Sequence, residues 1–267
     1  MKLPAALVFL LTIILLVRPS CAHDYWLKVD EARYQTGHSA AVKLMFGDPA
    51  TEGNEKPLQI ARTAQFRCYG QSRKFKDLLV SGEEKAMPAA RLPLSKEGTV
   101  LVTMERTPSE VRFGRAKFLQ YAASEGAVIS DQELPPSKPR VRERYARFMK
   151  TLLQVGDTPG DTATKKIGEE YEIVPVDNPY AIDGGELVVK VFFRGKPAAG
   201  AKVSSIHKLD GKVSTSSRIT DARGRCALPI TRDGQWHIRS VKIVPDAPKE
   251  GPLAGYHSYW ASLTFRY

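Results

Sequence analysis

The sequence predicts a mainly β protein with a few helices, arranged as two β-rich domains behind a short leader. Three observations lead there. Short runs of alternating apolar and polar residues recur along the chain, separated by Gly, Pro, Asn and Asp turns. Two segments break that alternation with helical spacing. The first 22 residues have the composition of a secretory leader, and residues 23–267 are enough for two domains of roughly 100–150 residues each.

The leader is read from Lys2, an uninterrupted apolar run from Ala5 to Val17, and the small residues of Ser20-Cys21-Ala22. The run is shorter than the roughly 20 residues a membrane-spanning helix needs, and no later segment approaches that length. Cleavage after Ala22 is expected. The mature chain then starts at His23 in the periplasm or outside the cell, with no transmembrane segment. A lipidated Cys21 fits less well, because Arg18-Pro19-Ser20 departs from the approach such a cysteine requires.

Residues 23–182 form the expected amino-terminal domain, sandwich-like with inserted helices. Tyr25, Leu27 and Val29 alternate, as do Val42, Leu44 and Phe46, and "GTVLVTME" is a further strand. The spacing of Ala116, Leu119 and Ala123, closed by Gly126, predicts a helix near 115–125. Pro139 in a first-turn position, Val141, Tyr145, Phe148 or Met149, and Leu152, followed by Gly156, predict a second helix over 139–154. Its Arg and Lys side chains would face solvent.

Residues 183–267 form the expected carboxy-terminal β-sandwich. The strand Leu187–Phe193 turns at Gly195-Lys196-Pro197, and "TDARGRCALPITRDGQWHIRSVKIV" reads as strand, turn, strand. After leader removal two cysteines remain. Period-two alternation puts Cys68 with Phe66 and Cys226 with Leu228, both core positions suited to a free thiol; in an oxidising compartment a bridge between them is the alternative. Loss of Lys2 and Arg18 lowers the formal charge from +11 to +9. No nucleic-acid motif accompanies that charge, so a solvated basic face is expected and a nucleic-acid partner is not.

The stretches "AHDYWL", "YEIVPVDNPY", "FRGKPAAGAKV", "TDARGRCALPI", "GQWHI" and "YWASLTFRY" occur in an order that resembles domain-of-unknown-function family 4198 over nearly the whole mature chain. "AKFLQYAASEG" and "RERYARFMKTLLQVG" fit the same pattern. The resemblance implies a periplasmic component of nickel or cobalt uptake. It also implies a transthyretin-like or carboxypeptidase-regulatory-like sandwich at the carboxy terminus. The strand after "GQWHI" carries Lys242 where that pattern leads to a histidine, which removes one ligand from the implied set.

An amino-terminal histidine can chelate one metal through its α-amine and its imidazole, and the amine's pKa of roughly 8 leaves a usable neutral fraction. Imidazole suits nickel, copper, zinc or iron(II), with copper(II) favoured on raw affinity, and the expected ion is nickel, cobalt, copper or zinc. Further ligands would come from Asp24, His38, His207, His237 or His257. His257 in "GYHSYW" is preferred, with Asp24 close by and His38 next, provided the two ends of the mature chain meet. No His-x-His pair, no cysteine cluster and no G-x-S-x-G elbow occurs. Glu169-Glu170 reads as solvated acid rather than a catalytic pair. Trp26, Trp236 and Trp260 read as core or rim residues rather than a carbohydrate-stacking face. The expected function is an exported, non-enzymatic binding protein for a divalent transition metal. The alternatives are a copper oxidoreductase built on a histidine brace and a metal-free module that docks another envelope protein.

Overall fold

The computed structural model describes residues 23–70, 74–134, 140–246 and 255–267. The leader read at residues 1–22 and Pro139 lie outside them. The chain starts with β1 (Asp24–Lys28), β2 (Arg33–Tyr34), β3 (Ser39–Gly47) and β4 (Asn54–Lys56), followed by β5 (Thr63–Tyr69), β6 (Lys76–Asp77) and β7 (Ala90–Pro93). Two long strands come next, β8 (Gly98–Gly114) and β9 (Arg140–Val155), with helix α1 (Arg115–Ser124) between them. Then follow β10 (Tyr171–Pro175), β11 (Gly185–Phe193), β12 (Lys196–Pro197), β13 (Lys202–Leu209) and β14 (Lys212–Ile219). The last three are β15 (Arg225–Ile230), β16 (Gln235–Pro245) and β17 (Tyr256–Arg266). The protein is mainly β, as expected, and α1 falls on the helix predicted near 115–125. No helix among the described residues is long and apolar enough to cross a membrane.

A nine-stranded sheet runs in the order β14-β13-β16-β17-β9-β8-β5-β6, with β2 along part of β9. A four-stranded sheet lies against each face. On one side β10, β11, β12 and β15 close a core over Phe148, Leu152, Ile238 and Leu263. On the other, β1, β3, β4 and β7 close a second core over Phe66, Val102, Met149 and Leu153. Helix α1 sits beside that second small sheet and packs Phe118 and Tyr121 against Val141, Tyr256 and Trp260.

The helix expected over 139–154 is strand β9. It lies between β8 and β17, and every residue from Ala146 to Val155 is buried. A strand covered on both faces carries a near-continuous apolar run instead of alternation. Its apolar residues therefore also satisfied helical spacing, and periodicity alone does not separate the two. Gly156 ends it as a turn at φ +65° whose N–H donates to the Tyr34 carbonyl, rather than as a helix cap.

The large sheet crosses the expected boundary at 182/183. β17 pairs in parallel with β9 from Tyr256↔Glu143 to Thr264↔Thr151, so the two halves of the chain share one sheet and one core. Cys68 and Cys226 are both free and buried, in cores on opposite faces of that sheet.

Candidate functional site

The first strand ends in a buried polar cluster at the seam between its own small sheet and α1. β1 is paired only with β3, in the register Asp24↔Gly47 to Lys28↔Lys43. It is tied to the large sheet by a 2.6 Å hydrogen bond that the Thr264 hydroxyl donates to the Leu27 carbonyl. That docking turns Asp24 and Trp26 inward. Asp24 is 3 % exposed, and its Oδ2 lies 2.9 Å from Arg239 Nε while its Oδ1 lies 3.8 Å from Arg147 Nη1. Arg239 Nη2 also donates to Glu125 Oε1 at 2.8 Å, just past the end of α1. Arg147 Nη2 donates to the His23 carbonyl at 3.1 Å.

Both arginines lie against Trp260. The guanidinium carbons of Arg147 and Arg239 lie 4.9 and 5.2 Å from its ring centroid, and Tyr121 stacks parallel on it at 5.8 Å. Cation–π contacts of this kind gain strength when desolvated. Glu143 completes the cluster by accepting from the Tyr121 hydroxyl at 2.9 Å and from Ser258. Three carboxylates thus face two guanidinium groups. Burial pushes the Asp24 carboxyl up, opposed by Arg239 and Arg147. Burial raises Glu143 too, against its hydrogen bonds from Ser258 and Tyr121.

His237 borders this cluster and is 3 % exposed. Its Nε2 lies 4.0 Å from Asp24 Oδ2, beyond hydrogen-bond reach, and its ring meets Trp26 edge-on at 5.6 Å. Neither ring nitrogen has a hydrogen-bond partner among the described residues. Burial, then the charge of Arg239, push its pKa down to about 3. The imidazole is therefore neutral, the form that ligates metals. Leaving a buried polar atom unpaired costs about 1–3 kcal/mol, which makes His237 the least satisfied side chain of the cluster. A cavity of about 10 Å³ opens beside it, between Trp26, Glu52, Lys208 and Gln235. It has room for roughly one water-sized ligand. Asp48, exposed just beyond β3, lies near enough for its charge to raise both Asp24 and His237.

The structure separates most of the histidines expected to act together. His23 is exposed, with its ring tilted against Phe46 at 5.1 Å. His257 does not join it. Alternation along β17 turns His257, with Tyr259, toward the core under β10 and β11, whereas Trp260 and Thr264 face β1 and the polar cluster. His257 Nδ1 lies 2.9 Å from the Tyr259 hydroxyl instead. His38 precedes β3 at its far end, where its carbonyl accepts from Leu94, nine residues from the Gly47 that faces Asp24. At about 3.4 Å per residue that is roughly 30 Å away. His207 stacks on Trp236 at 4.2 Å and contacts the Asp233 carbonyl. Among the described residues no group of three or more His, Cys, Asp or Glu side chains stands ready to hold a metal ion.

Sequence reading included His237 among five candidate partners but favoured His257. Alternation in "GQWHIRS" does set His237 and Arg239 opposite Trp236 and Ile238; which face meets Asp24 depends on where β1 docks. Arg147 was obscured by its assignment to a helix.

The model of DUF4198, a domain of unknown function, matches residues 20–242. The chain belongs to the DUF4198 family. No curated protein matches it. Among solved structures, dimeric latent PorU from Porphyromonas gingivalis aligns at 8 % identity and a TM-score of 0.19, over 90 % of this chain and 20 % of that one. A likeness that low carries no argument, and the DUF4198 chain spans about a fifth of that protein.

Proposed function

We propose that this DUF4198 protein is an exported, non-enzymatic binding protein for a divalent transition metal, held where the processed chain begins. The observation that carries this reading is His237: a buried, neutral imidazole with both nitrogens unpaired, beside a small cavity and 4.0 Å from the carboxylate that follows His23. The polar cluster sets Asp24, Glu125 and Glu143 against Arg147 and Arg239, with Asp48 near Asp24, and the two lysines that line the cavity, Lys28 and Lys208, are both paired with Glu52. His23, through its amine and imidazole, and His237 would be the ligands. Asp24, engaged by Arg239, would position the strand rather than ligate. Nickel, cobalt, copper and zinc all suit such nitrogen donors. The resemblance noted from the sequence favours nickel or cobalt, and likewise a transthyretin-like assignment for the carboxy-terminal strands.

The same pair of histidines is what a copper histidine brace requires, so an oxidoreductase is the second reading. Calorimetric titration of Ni²⁺, Co²⁺, Cu²⁺ and Zn²⁺ into protein processed to His23 tests the proposal. One ion per chain should bind, binding should disappear when extra residues precede His23, and His237→Gln should weaken it at least tenfold. No binding of any of the four ions would end the metal reading. Copper-dependent, reductant-driven oxidation of a polysaccharide would favour the second.

A further inference from the structure

A second feature lies on the opposite face of the large sheet and is independent of the metal reading. β8 and β9 pair as far as Gly114↔Arg140, whereas β17 ends at Tyr256, opposite Glu143. Beyond that point the two strands continue as a two-stranded arm. A bulge between Arg106 and Ser109 resets the alternation of β8. In the arm Val111, Phe113 and Val141 turn toward α1, and the other face carries Arg112, Arg140, Arg142 and Arg144. Arg112, Arg140 and Arg144 are exposed, and none makes an ion pair or a side-chain hydrogen bond with a described residue. Arg142 is paired with Glu110 at 3.3 Å and Asp246 at 2.7 Å.

This placement is costly unless something outside the chain uses it. Arg112 and Arg142 are direct cross-strand partners, and like charges in that position are destabilising. Arg140, Arg142 and Arg144 repeat at every second residue, about 7 Å apart along one strand. Four guanidinium groups on one pleated face oppose two carboxylates, and Lys242 lies nearby on the same side of the sheet, over Phe193. His257, cross-strand from Arg144, is held below its ordinary pKa by burial and by that arginine. Among the described residues Glu110 and Asp246 pair with Arg142 alone, and the other three arginines have no ion-pair partner.

We infer that the basic face of this arm docks on an anionic phospholipid surface. Guanidinium groups match phosphate oxygens in a two-pronged fork, and an open row of them fits a plane of phosphates. Clusters of about four to eight basic residues are what such surfaces attract. An acidic protein partner would more often be gripped by buried aromatic anchors. The arm's own aromatic, Phe113, turns to the α1 side.

The test is co-sedimentation of the processed protein with vesicles of equal parts phosphatidylglycerol and phosphatidylcholine, and with phosphatidylcholine alone, at about 0.1 M salt. Binding is expected only to the anionic vesicles. Each surface arginine is worth about fivefold in partitioning, so the triple variant Arg112→Gln/Arg140→Gln/Arg144→Gln should bind roughly 100-fold more weakly with a melting temperature no lower than the parent's. A charge-matched variant on the far edge of the sheet, Lys212→Gln/Arg218→Gln/Arg223→Gln, should bind within about fivefold of the parent. Equal loss in both triples would reduce the effect to net charge and overturn the proposal. So would absent binding to anionic vesicles, or arm-dependent binding to polyglutamate in their place, which would indicate an acidic protein.

Discussion

Replacing Arg239 with Met tests the polar cluster at its centre, because one guanidinium serves two buried acids. Asp24 lies 2.9 Å from Nε and Glu125 2.8 Å from Nη2, with side chains 5 % and 7 % exposed. Met keeps an aliphatic stem of similar bulk but loses the guanidinium over Trp260, so the loss is mainly electrostatic. Removing one member of a buried ion pair costs about 3–5 kcal/mol, because the remaining charge stays desolvated. Arg147 still stands 3.8 Å from Asp24, which points to the lower end, about 3 kcal/mol. In a chain of this size that corresponds to roughly 6–12 °C in melting temperature. The pH dependence has a definite sign. Orphaned carboxylates have folded pKa values above their unfolded ones, so the deficit grows as pH rises through the ordinary carboxylate range and shrinks in acid. Urea midpoints at pH 7 and pH 5 should show this. The triple variant Arg239→Met/Asp24→Asn/Glu125→Gln should recover most of the loss. A single variant that loses less than about 1 kcal/mol at pH 7, the range of an exposed pair, would refute the reasoning, and so would a triple no better than the single.

Three further expectations follow from the buried groups and the shared sheet. His237, with a folded pKa near 3, should keep a flat imidazole chemical shift in NMR between pH 5 and 8. Its contribution destabilises the fold progressively as pH falls from about 6.5 toward 3, and a histidine titrating near 6 at this position would contradict the assignment. Glu169, which burial pushes up to about 8 despite Lys150 at 4.0 Å, acts in the opposite direction. Its contribution is lost as pH rises from the ordinary glutamate value through 8, so Glu169→Gln should raise the urea midpoint at pH 9 and change it little at pH 5. A fragment covering residues 183–267 should fail to fold alone, read as a coil-like circular dichroism spectrum, because β17 needs β9 as its neighbour and the core needs Phe148, Leu152 and Tyr171.

The legible and illegible parts of the sequence divide along physical lines. β3 and β11 each have one covered face and showed themselves by alternation, and α1, with a free side and a Gly126 stop, showed itself by helical spacing. β9 did not. Its burial on both faces is a property of its neighbours, so its pattern matched a helix equally well. The consequence is topological, because a helix at 139–154 would have lain within the amino-terminal part, whereas the central strand β9 pairs directly with β17. At the candidate site, His23 and Asp24 could be singled out from the leader's end, and the core placement of both cysteines could be read from alternation. The pairing of Asp24 with Arg147, Arg239 and His237 could not, since it is fixed by where β1 docks across strands more than a hundred residues away.

That docking also ties the stability of the fold to the first two described residues, the place where metal binding is proposed. The chain emerging at His23 is held by a carbonyl contact from Arg147, and Asp24 is drawn beneath the surface by Arg239. Burying an aspartate at a strand's first position is unfavourable unless arginines await it, and the arginines in turn are tolerated because Trp260, Glu125 and Glu143 surround them. The cluster therefore stabilises one position of the His23-Asp24 segment against the large sheet. Within it only His237 lacks hydrogen-bond partners on both polar atoms while remaining neutral. A structural network alone would gain by satisfying or replacing that imidazole, whereas a binding site would keep it open. His237→Phe separates the two accounts: it should raise thermal stability by removing unpaired nitrogens from the interior, and it should abolish metal binding at the amino terminus. A variant that is more stable and still binds metal would assign His237 to the fold alone.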